Sequence, residues 1–120
     1  MFINLSNHPS SSWSANQLEK ARQYGDVEDI PYPTVSATEG EEYIASLAME
    51  YADKIISLYD PLKDVVHVMG EMCFSFALVC LLRKSGFVCV ASTSERIVKE
   101  DRPGYKEVFF NFIRFRRYGV

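Results

Sequence analysis

Three short stretches of the sequence carry side chains that could bind an anionic ligand or transfer a proton. They are residues 6–8 (SNH), 70–71 (GE) and 92–96 (STSER), and each follows an apolar run. Hydroxyls, backbone N–H groups and a guanidinium can hold a phosphate from several directions, and a histidine can act as general acid or base. A glycine before a helix also lets an anion approach the backbone closely. These residue types indicate a phosphate-binding site.

Each stretch also has a structural interpretation, which the sequence leaves open. Glu71 can stabilise the dipole of the helix that follows it, and STSER can cap a helix and form a salt bridge. His8 can organise its own loop, while Ser6 and Asn7 can be ordinary turn residues.

Other polar and aromatic residues have two interpretations as well. Arg114 and Arg116 share one face of the last predicted strand, where they can bind phosphate or form a solvated terminus. Trp13 can stack on a base or anchor its loop to the core. His67 lies inside an apolar run, and we expect it to be structural and partly buried.

The sequence lacks the signatures of several common sites. It contains no G-x-G-x-x-G and no G-x-x-x-x-G-K-[ST], and so gives no sign of a dinucleotide-binding fingerprint or a P-loop. It has no nucleophile elbow for a Ser-His-Asp set and no His, Cys and carboxylate cluster with metal-ligand spacing. If the protein is an enzyme, we therefore expect it to use neither a metal nor a redox cofactor.

The charge distribution favours a small anionic ligand. The net charge is −3, but residues 1–60 hold three Lys or Arg against ten Asp or Glu, and residues 61–120 hold ten against six. The two halves therefore carry −7 and +4. The positive half can attract a phosphate, whereas an acidic protein attracts bulk nucleic acid only weakly. We expect a small, enclosed phosphate ligand and no duplex DNA.

The cysteines and the N-terminal segment indicate a cytoplasmic protein. The three cysteines, Cys73, Cys80 and Cys89, lie in apolar runs and form no Cys-x-x-Cys pair, so we predict buried, reduced thiols. The first residues lack a basic segment followed by a long apolar one, and no apolar run approaches the ~20 residues that cross a bilayer. We therefore expect no membrane partner.

Hydrophobic periodicity and turn residues predict the elements that position these side chains. Strands are predicted at 2–6, within 27–33, at 65–69 and at 87–92, and helices at 15–24, 39–59 and 71–85. A terminal hairpin is predicted around the turn sequence DRPG, within residues 96–118.

Two of these helices begin with a capping box, in which the N-cap residue and the residue three positions later satisfy each other's backbone donors. Ser14 with Gln17 predicts one helix start, and Thr38 with Glu41 predicts another. Gly86 is predicted to end the third helix.

The order of these elements predicts the fold class. Strands that alternate with helices indicate one α/β domain, residues 1–120, with a mainly parallel sheet, helices on both faces and a C-terminal β-hairpin. In such sheets ligands bind beyond the carboxyl ends of the strands, especially where the strand order reverses. We expect the three polar stretches to lie at these ends.

Residues 65–118 resemble the small stand-alone CRISPR-associated proteins of the Csx type. Those proteins have G-[DE] after one strand, an alanine- or serine-led TT-x-R after the next, and a closing F-x-x-V-R-F-R strand. The matching segments here are GE at 70–71, ASTSER at 91–96 and FIRFR at 112–116. LSNH at 5–8 is also similar to the strand-end FSH of that family.

The resemblance implies a Rossmann-like fold related to CARF domains, in a homodimer that binds a cyclic oligoadenylate across its two-fold axis. It implies a ring nuclease of type III CRISPR antiviral signalling, which would open cyclic tetra-adenylate without a metal or cofactor. The implied catalytic residues are His8, as general acid–base, and Arg96. The implied ligand-binding residues are Ser6, Asn7, Gly70, Glu71, Ser92, Thr93, Ser94 and Arg116.

The same residues leave two other functions open. Ser94 stands where the Csx pattern has a second threonine, and the first loop, SNHPSSSW, is longer than in that pattern. The protein can therefore be a non-catalytic sensor or sponge for the same nucleotide. It can also be a small dimeric interaction domain, with the strand FFNFIRF at 109–115 as its interface.

Overall fold

The computed structural model describes residues 1–119; Val120, the last residue of the predicted domain, lies outside them. The strands are β1 (Phe2–Ser6), β2 (Val27–Asp29), β3 (Val65–Met69), β4 (Val88–Arg102) and β5 (Tyr105–Arg117). The helices are α1 (Ala15–Arg22), α2 (Glu41–Leu58) and α3 (Met72–Lys84), and a 3₁₀ turn covers Ser10–Ser12. Within the described residues, no helix is long and apolar enough to cross a membrane.

The five strands form one sheet in the order β2-β1-β3-β4-β5. Strands β2, β1, β3 and β4 are parallel, and β5 runs antiparallel beside β4. The predicted mainly parallel α/β class with a C-terminal hairpin is therefore confirmed. After β2 the chain crosses back to the other side of β1, so the strand order reverses between β1 and β3. Ligands bind at such reversals in open α/β sheets.

The helices cover the two faces of the sheet. Helices α2 and α3 pack together, and they bury Ile3, Leu5, Val66 and Val68 beneath them. Helix α1 covers the other face, where the buried cluster is built on Phe2 and aromatic residues from the first loop and β5. Because successive side chains of a strand alternate between faces, the odd positions of β1 face α2 and α3 and its even positions face α1.

One of the two predicted capping boxes is present in half, because Ser14 caps its helix while the Gln17 side chain donates to Ser92 Oγ instead of returning to Ser14. The Ser14 hydroxyl accepts a hydrogen bond from the Gln17 N–H at 3.2 Å, and α1 begins as predicted. The prediction for Thr38 is wrong, because α2 begins after Gly40 without a side-chain cap. The Thr38 hydroxyl instead hydrogen-bonds the Ser36 hydroxyl at 2.8 Å, within the preceding turn.

The segment STSER is part of a strand, whereas the sequence predicted a loop. Strand β4 continues from Val88 to Arg102 and pairs with β5 from Val90 onward. The register shifts between Thr93 and Ser94, which pair with Arg114 and Phe112, so Ile113 is an extra residue in β5. This β-bulge bends the hairpin but keeps the two strands paired.

The prediction of buried cysteines is right for one residue of three. Cys89 is 2% exposed, facing α2 and α3 from β4. Cys73 and Cys80 are exposed free thiols of α3, since a helix that packs on one side leaves apolar residues on its other side in contact with solvent.

Gly70, between β3 and α3, has a packing role that generates a stability prediction. A Cβ at Gly70 would collide with the phenol ring of Tyr32. We expect Gly70→Ala to lower the free energy of unfolding by about 1–3 kcal/mol, as overpacking of a tight contact does. Urea titration of Gly70→Ala, Tyr32→Ala and the double variant measures this. In the Tyr32→Ala background the same glycine substitution should cost much less; an equal cost in both backgrounds contradicts the assignment.

Candidate functional site

A cleft of about 830 Å³ lies on the α1 face of the sheet, over the ends of β1 and β3 and beside the hairpin. We call it the main cleft. The first loop contributes His8 and Trp13, and α1 contributes Gln17. The strands contribute polar groups and aromatic rings: Ser6, His67, Ser92, Ser94, Phe110 and Phe112. The cleft thus lies next to the reversal of strand order, where a ligand site is expected.

The floor of the main cleft contains a histidine bonded through both ring nitrogens. His67 is 2% exposed. Its Nε2 lies 2.7 Å from Ser92 Oγ, and its Nδ1 lies 2.8 Å from Asn4 Oδ1. Gln17 Nε2 donates to Ser92 Oγ at 3.1 Å. We refer to Asn4, His67, Ser92 and Gln17 as the His67 network.

The partners of Asn4 determine where the protons of this network lie. Asn4 Nδ2 donates to Asp29 Oδ1 at 2.9 Å and to the His8 carbonyl at 3.0 Å, which are both acceptors. The amide oxygen of Asn4 therefore faces His67, so Nδ1 of His67 carries the proton and donates it. Nε2 then has a free lone pair, and the Ser92 hydroxyl donates to it.

Burial keeps this imidazole neutral. Loss of solvent around His67, together with a smaller effect of the nearby His8, lowers its pKa from 6.5 to about 4. Aromatic rings make up much of the surrounding wall, with the ring centroids of Phe2, Trp13 and Phe115 at 5.8, 5.4 and 5.4 Å from that of His67. A neutral imidazole agrees with the proton positions that the hydrogen bonds require.

Trp13 anchors the first loop, which was one of its two predicted roles. Its side chain is 9% exposed, and Nε1 donates to the His8 carbonyl at 3.2 Å. The same carbonyl accepts from the Ser6 hydroxyl at 2.9 Å. The backbone of His8 is therefore held in place, while its imidazole is exposed and lines the main cleft.

Five of the residues proposed from the sequence lie in or beside the main cleft. Ser6, His8, Ser92 and Ser94 line it. Arg96 pairs directly with Phe110, which lines the cleft, so the arginine lies on the same face at the outer rim.

Three other candidates have structural partners instead. The Thr93 hydroxyl donates to the Arg114 carbonyl at 3.1 Å and accepts from the Arg114 N–H at 3.2 Å, which holds the bulge. Gly70 packs against Tyr32. Glu71 caps α3, and hydrogen bonds from the Phe74 and Cys73 N–H groups lower its carboxyl pKa. The capping interpretation of Glu71 is the one that these contacts support.

Asn7 and Arg116 lie at other cavities. Asn7 lines a smaller cavity of about 470 Å³ beside Asp29 and Tyr32. Arg116 lines a basic cavity of about 670 Å³ near the start of β4, together with Arg83, Arg114 and Arg117. The structure therefore separates Arg116 from His8 and Ser92, although all were assigned to one ligand site.

Sequence reasoning missed Asn4 and Gln17, and it gave His67 only a structural role. The available signal was one polar residue inside each of two apolar strands, FINLS and VVHVM. Asn4 is the register partner of His67, so the two side chains share a face of the sheet. That pairing depends on sheet order and register, which no local pattern in the sequence specifies.

The main cleft offers neutral donors and one free histidine. Over residues 1–119, no three His, Cys, Asp or Glu side chains are placed to hold a metal ion together. Hydroxyls, amides and an imidazole can bind phosphate oxygens and move a proton, and the aromatic rings can contact a base. The arrangement therefore suits a nucleotide or another phosphate ester.

Comparison with known proteins gives a family but no activity. Residues 1–116 match the model of the family described as Uncharacterized protein MJ1673 family. No curated protein and no solved structure matches the chain. The matched residues include every residue of the main cleft.

The low pKa of His67 predicts how stability depends on pH. Between pH 6.5 and about 4 the unfolded chain binds a proton at this residue that the folded protein does not, so stability falls as the pH falls. From pH 7 to pH 5 we expect this histidine to cost about 2 kcal/mol of the free energy of unfolding.

Urea titrations at both pH values measure this loss. His67→Gln should show a loss smaller by about that 2 kcal/mol, because glutamine does not titrate. His8→Asn is the matched control and should keep most of the wild-type loss, since burial is the main cause of the shift. An unchanged pH dependence in His67→Gln contradicts the prediction.

Proposed function

We propose that this chain, which belongs to the MJ1673 family of uncharacterized proteins, binds a cyclic oligoadenylate in the main cleft and opens the ring without a metal ion. Cyclic tetra-adenylate is the proposed ligand. The observation that carries the proposal is the cleft itself, where an exposed histidine, several hydroxyls and two phenylalanine rings lie together, with an arginine at the rim.

The composition of the cleft supports binding of a nucleotide. Phe110, which is 71% exposed, can stack on adenine, because every base has a π face that an aromatic side chain can contact. Arg96 can pair with a phosphate through its guanidinium. Ser14 and Gln17 also line the cleft, so the N-terminus of α1, the positive end of its helix dipole, lies beside the proposed ligand.

The proposed reaction uses a hydroxyl of the ligand. The ribose 2′-oxygen attacks the adjacent phosphorus, the P–O2′ bond forms, the P–O5′ bond breaks, and a 2′,3′-cyclic phosphate remains. His8 transfers the proton between the attacking and leaving oxygens, and Arg96 stabilises the charge on the phosphate oxygens. Orientation of the 2′-hydroxyl in line with the leaving oxygen supplies much of the rate.

A homodimer fits this ligand better than one chain does. A cleft of about 830 Å³ suits a ligand of drug size, whereas a ring of four nucleotides is larger. The hairpin also exposes apolar side chains that a second copy could cover: Val98, Tyr105, Val108, Phe109, Phe110 and Ile113. We propose that two clefts meet across a two-fold axis, in a Rossmann-like, CARF-related fold that works in the cytoplasm.

A sensor or sponge that binds the ring without opening it is the second candidate. Among residues 1–119, no side chain makes a hydrogen bond to the His8 imidazole that would orient it as a general base. Thr93, assigned to phosphate, is engaged with the backbone of β5. Product analysis separates binding from cleavage. If a dimer forms but no ring stabilises it, the hairpin is the interface of an interaction domain.

Incubation of the purified protein with cyclic tri-, tetra- and hexa-adenylate in EDTA tests the proposal. We expect cyclic tetra-adenylate to raise the melting temperature and to yield a linear product with a 2′,3′-cyclic phosphate, identified by mass spectrometry. His8→Ala should retain the thermal shift and lose about 10²–10⁴-fold in turnover. Binding by the wild type with no product would favour the sensor; an undiminished rate in His8→Ala would remove that residue from the mechanism.

The two arginines give a second prediction, which separates the main cleft from the basic cavity. Arg96→Ala should weaken binding of cyclic tetra-adenylate at least about tenfold, because it removes the guanidinium at the rim. Arg116→Ala is the matched control and should bind as the wild type does, since Arg116 lines the other cavity. Isothermal titration calorimetry measures both. If Arg116→Ala weakened binding and Arg96→Ala did not, the ligand would bind in the basic cavity instead.

A further inference from the structure

We propose that Ser92 is a nucleophile, activated by His67, that attacks the phosphorus of a phosphate ester bound in the main cleft. The proposal concerns a covalent step at the protein itself, and it does not depend on a 2′-hydroxyl in the ligand.

The hydrogen bonds of Ser92 leave its oxygen ready for attack. The hydroxyl proton points to His67 Nε2, 2.7 Å away, and one lone pair accepts from Gln17 Nε2 at 3.1 Å. A second lone pair has no partner in these bonds, and Ser92 lines the main cleft. A serine that donates to a neutral imidazole is the arrangement that activates this weak nucleophile in other enzymes.

The orientation of His67 is set by groups behind it. The amide oxygen of Asn4, a residue that is 1% exposed, accepts a hydrogen bond from His67 Nδ1. Asp29 accepts from the Asn4 amide nitrogen and so keeps the amide oxygen turned toward His67. Asp29 is fixed in turn by the hydroxyl of Ser10 at 2.8 Å. A Cys-His-Asn set uses an asparagine in the same position, whereas an amide turned the other way would stabilise the unreactive tautomer.

If these residues had only a structural function, the Ser92 hydroxyl would not need to lie in the cleft. Buried polar groups that only satisfy one another can do so within the core. Here the chain of bonds runs from Asp29 through Asn4 and His67 to Ser92, which is partly exposed at the cleft wall. The geometry therefore connects a buried base to a hydroxyl that a ligand can reach.

The covalent step needs no reactant other than Ser92, His67, the ester and water. The Ser92 Oγ–P bond forms as the bond from phosphorus to the leaving group breaks, and the Ser92 proton moves to His67 Nε2. With a natural ester the leaving oxygen takes that proton. Water then attacks the phosphorus with His67 as base, and Ser92 departs from phosphorus and recovers its proton.

A fluorophosphonate probe tests the proposal without any nucleotide, since fluoride is the leaving group. We expect intact-mass and peptide analysis to find one adduct per chain, on Ser92, and none in Ser92→Ala. Ser12→Ala is the matched control, because Ser12 lines the same cleft but its hydroxyl donates to the Pro9 carbonyl instead of to a histidine. It should be labelled at the wild-type rate. No adduct on the wild type, or an adduct at another serine, overturns the proposal.

Two further variants test the role of the histidine. His67→Gln should slow labelling at least about 100-fold while its thermal unfolding shows that it is folded. Asn4→Asp combined with Asp29→Asn exchanges the two side chains at constant charge and places a carboxylate against Nδ1. It removes the Asn4 donor to the His8 carbonyl, which keeps its bonds from Ser6 and Trp13. We expect this exchange to speed labelling about tenfold or more, because the carboxylate stabilises the imidazolium. Wild-type rates in either folded variant would show that His67 does not activate Ser92.

Discussion

The buried imidazole of His67 is the constraint on which the rest of the site depends. A polar ring inside a sheet is costly unless both of its nitrogens find partners. Asn4 on β1 and Ser92 on β4 supply those partners, and Gln17 connects α1 to the same group. One side chain therefore ties together three neighbouring strands and a helix. The main cleft is the place where this buried network reaches the surface.

The β-bulge in β5 closes the other side of the cleft. Phe112 and Phe115 are three residues apart, so in a regular strand they would point to opposite faces. The extra residue, Ile113, puts both rings on the α1 face, where each is 6% exposed and their centroids are 4.9 Å apart. At the bulge, the carbonyls of Phe112 and Ile113 accept hydrogen bonds from Asn16 and Lys20 of α1. The bulge in β5 thus helps to hold α1 against the sheet.

The elements could be predicted from the sequence more fully than the site. Strand β3 and the α1 start have local signals, a β-branched run and a capping box, and both lie where those signals put them. STSER has no such signal, because its strand conformation depends on pairing with a distant β5. Likewise, the pairing of β4 with β5 decides whether the side chains of Arg116 and Ser92 lie on the same face of the sheet. Register decides these contacts, and a single sequence does not specify register.

The positions of the arginines and lysines determine how the main cleft can select a ligand. None of the thirteen residues that line it is an arginine or a lysine, while four arginines line the basic cavity. An anion in the main cleft would therefore be held by hydroxyls, amides and a histidine, with the Arg96 guanidinium at the rim. Neutral donors bind only over hydrogen-bond distances, so shape and donor placement contribute more than long-range attraction. A protein of net charge −3 would in this way bind one phosphate ester in the cleft without also collecting longer nucleic acids.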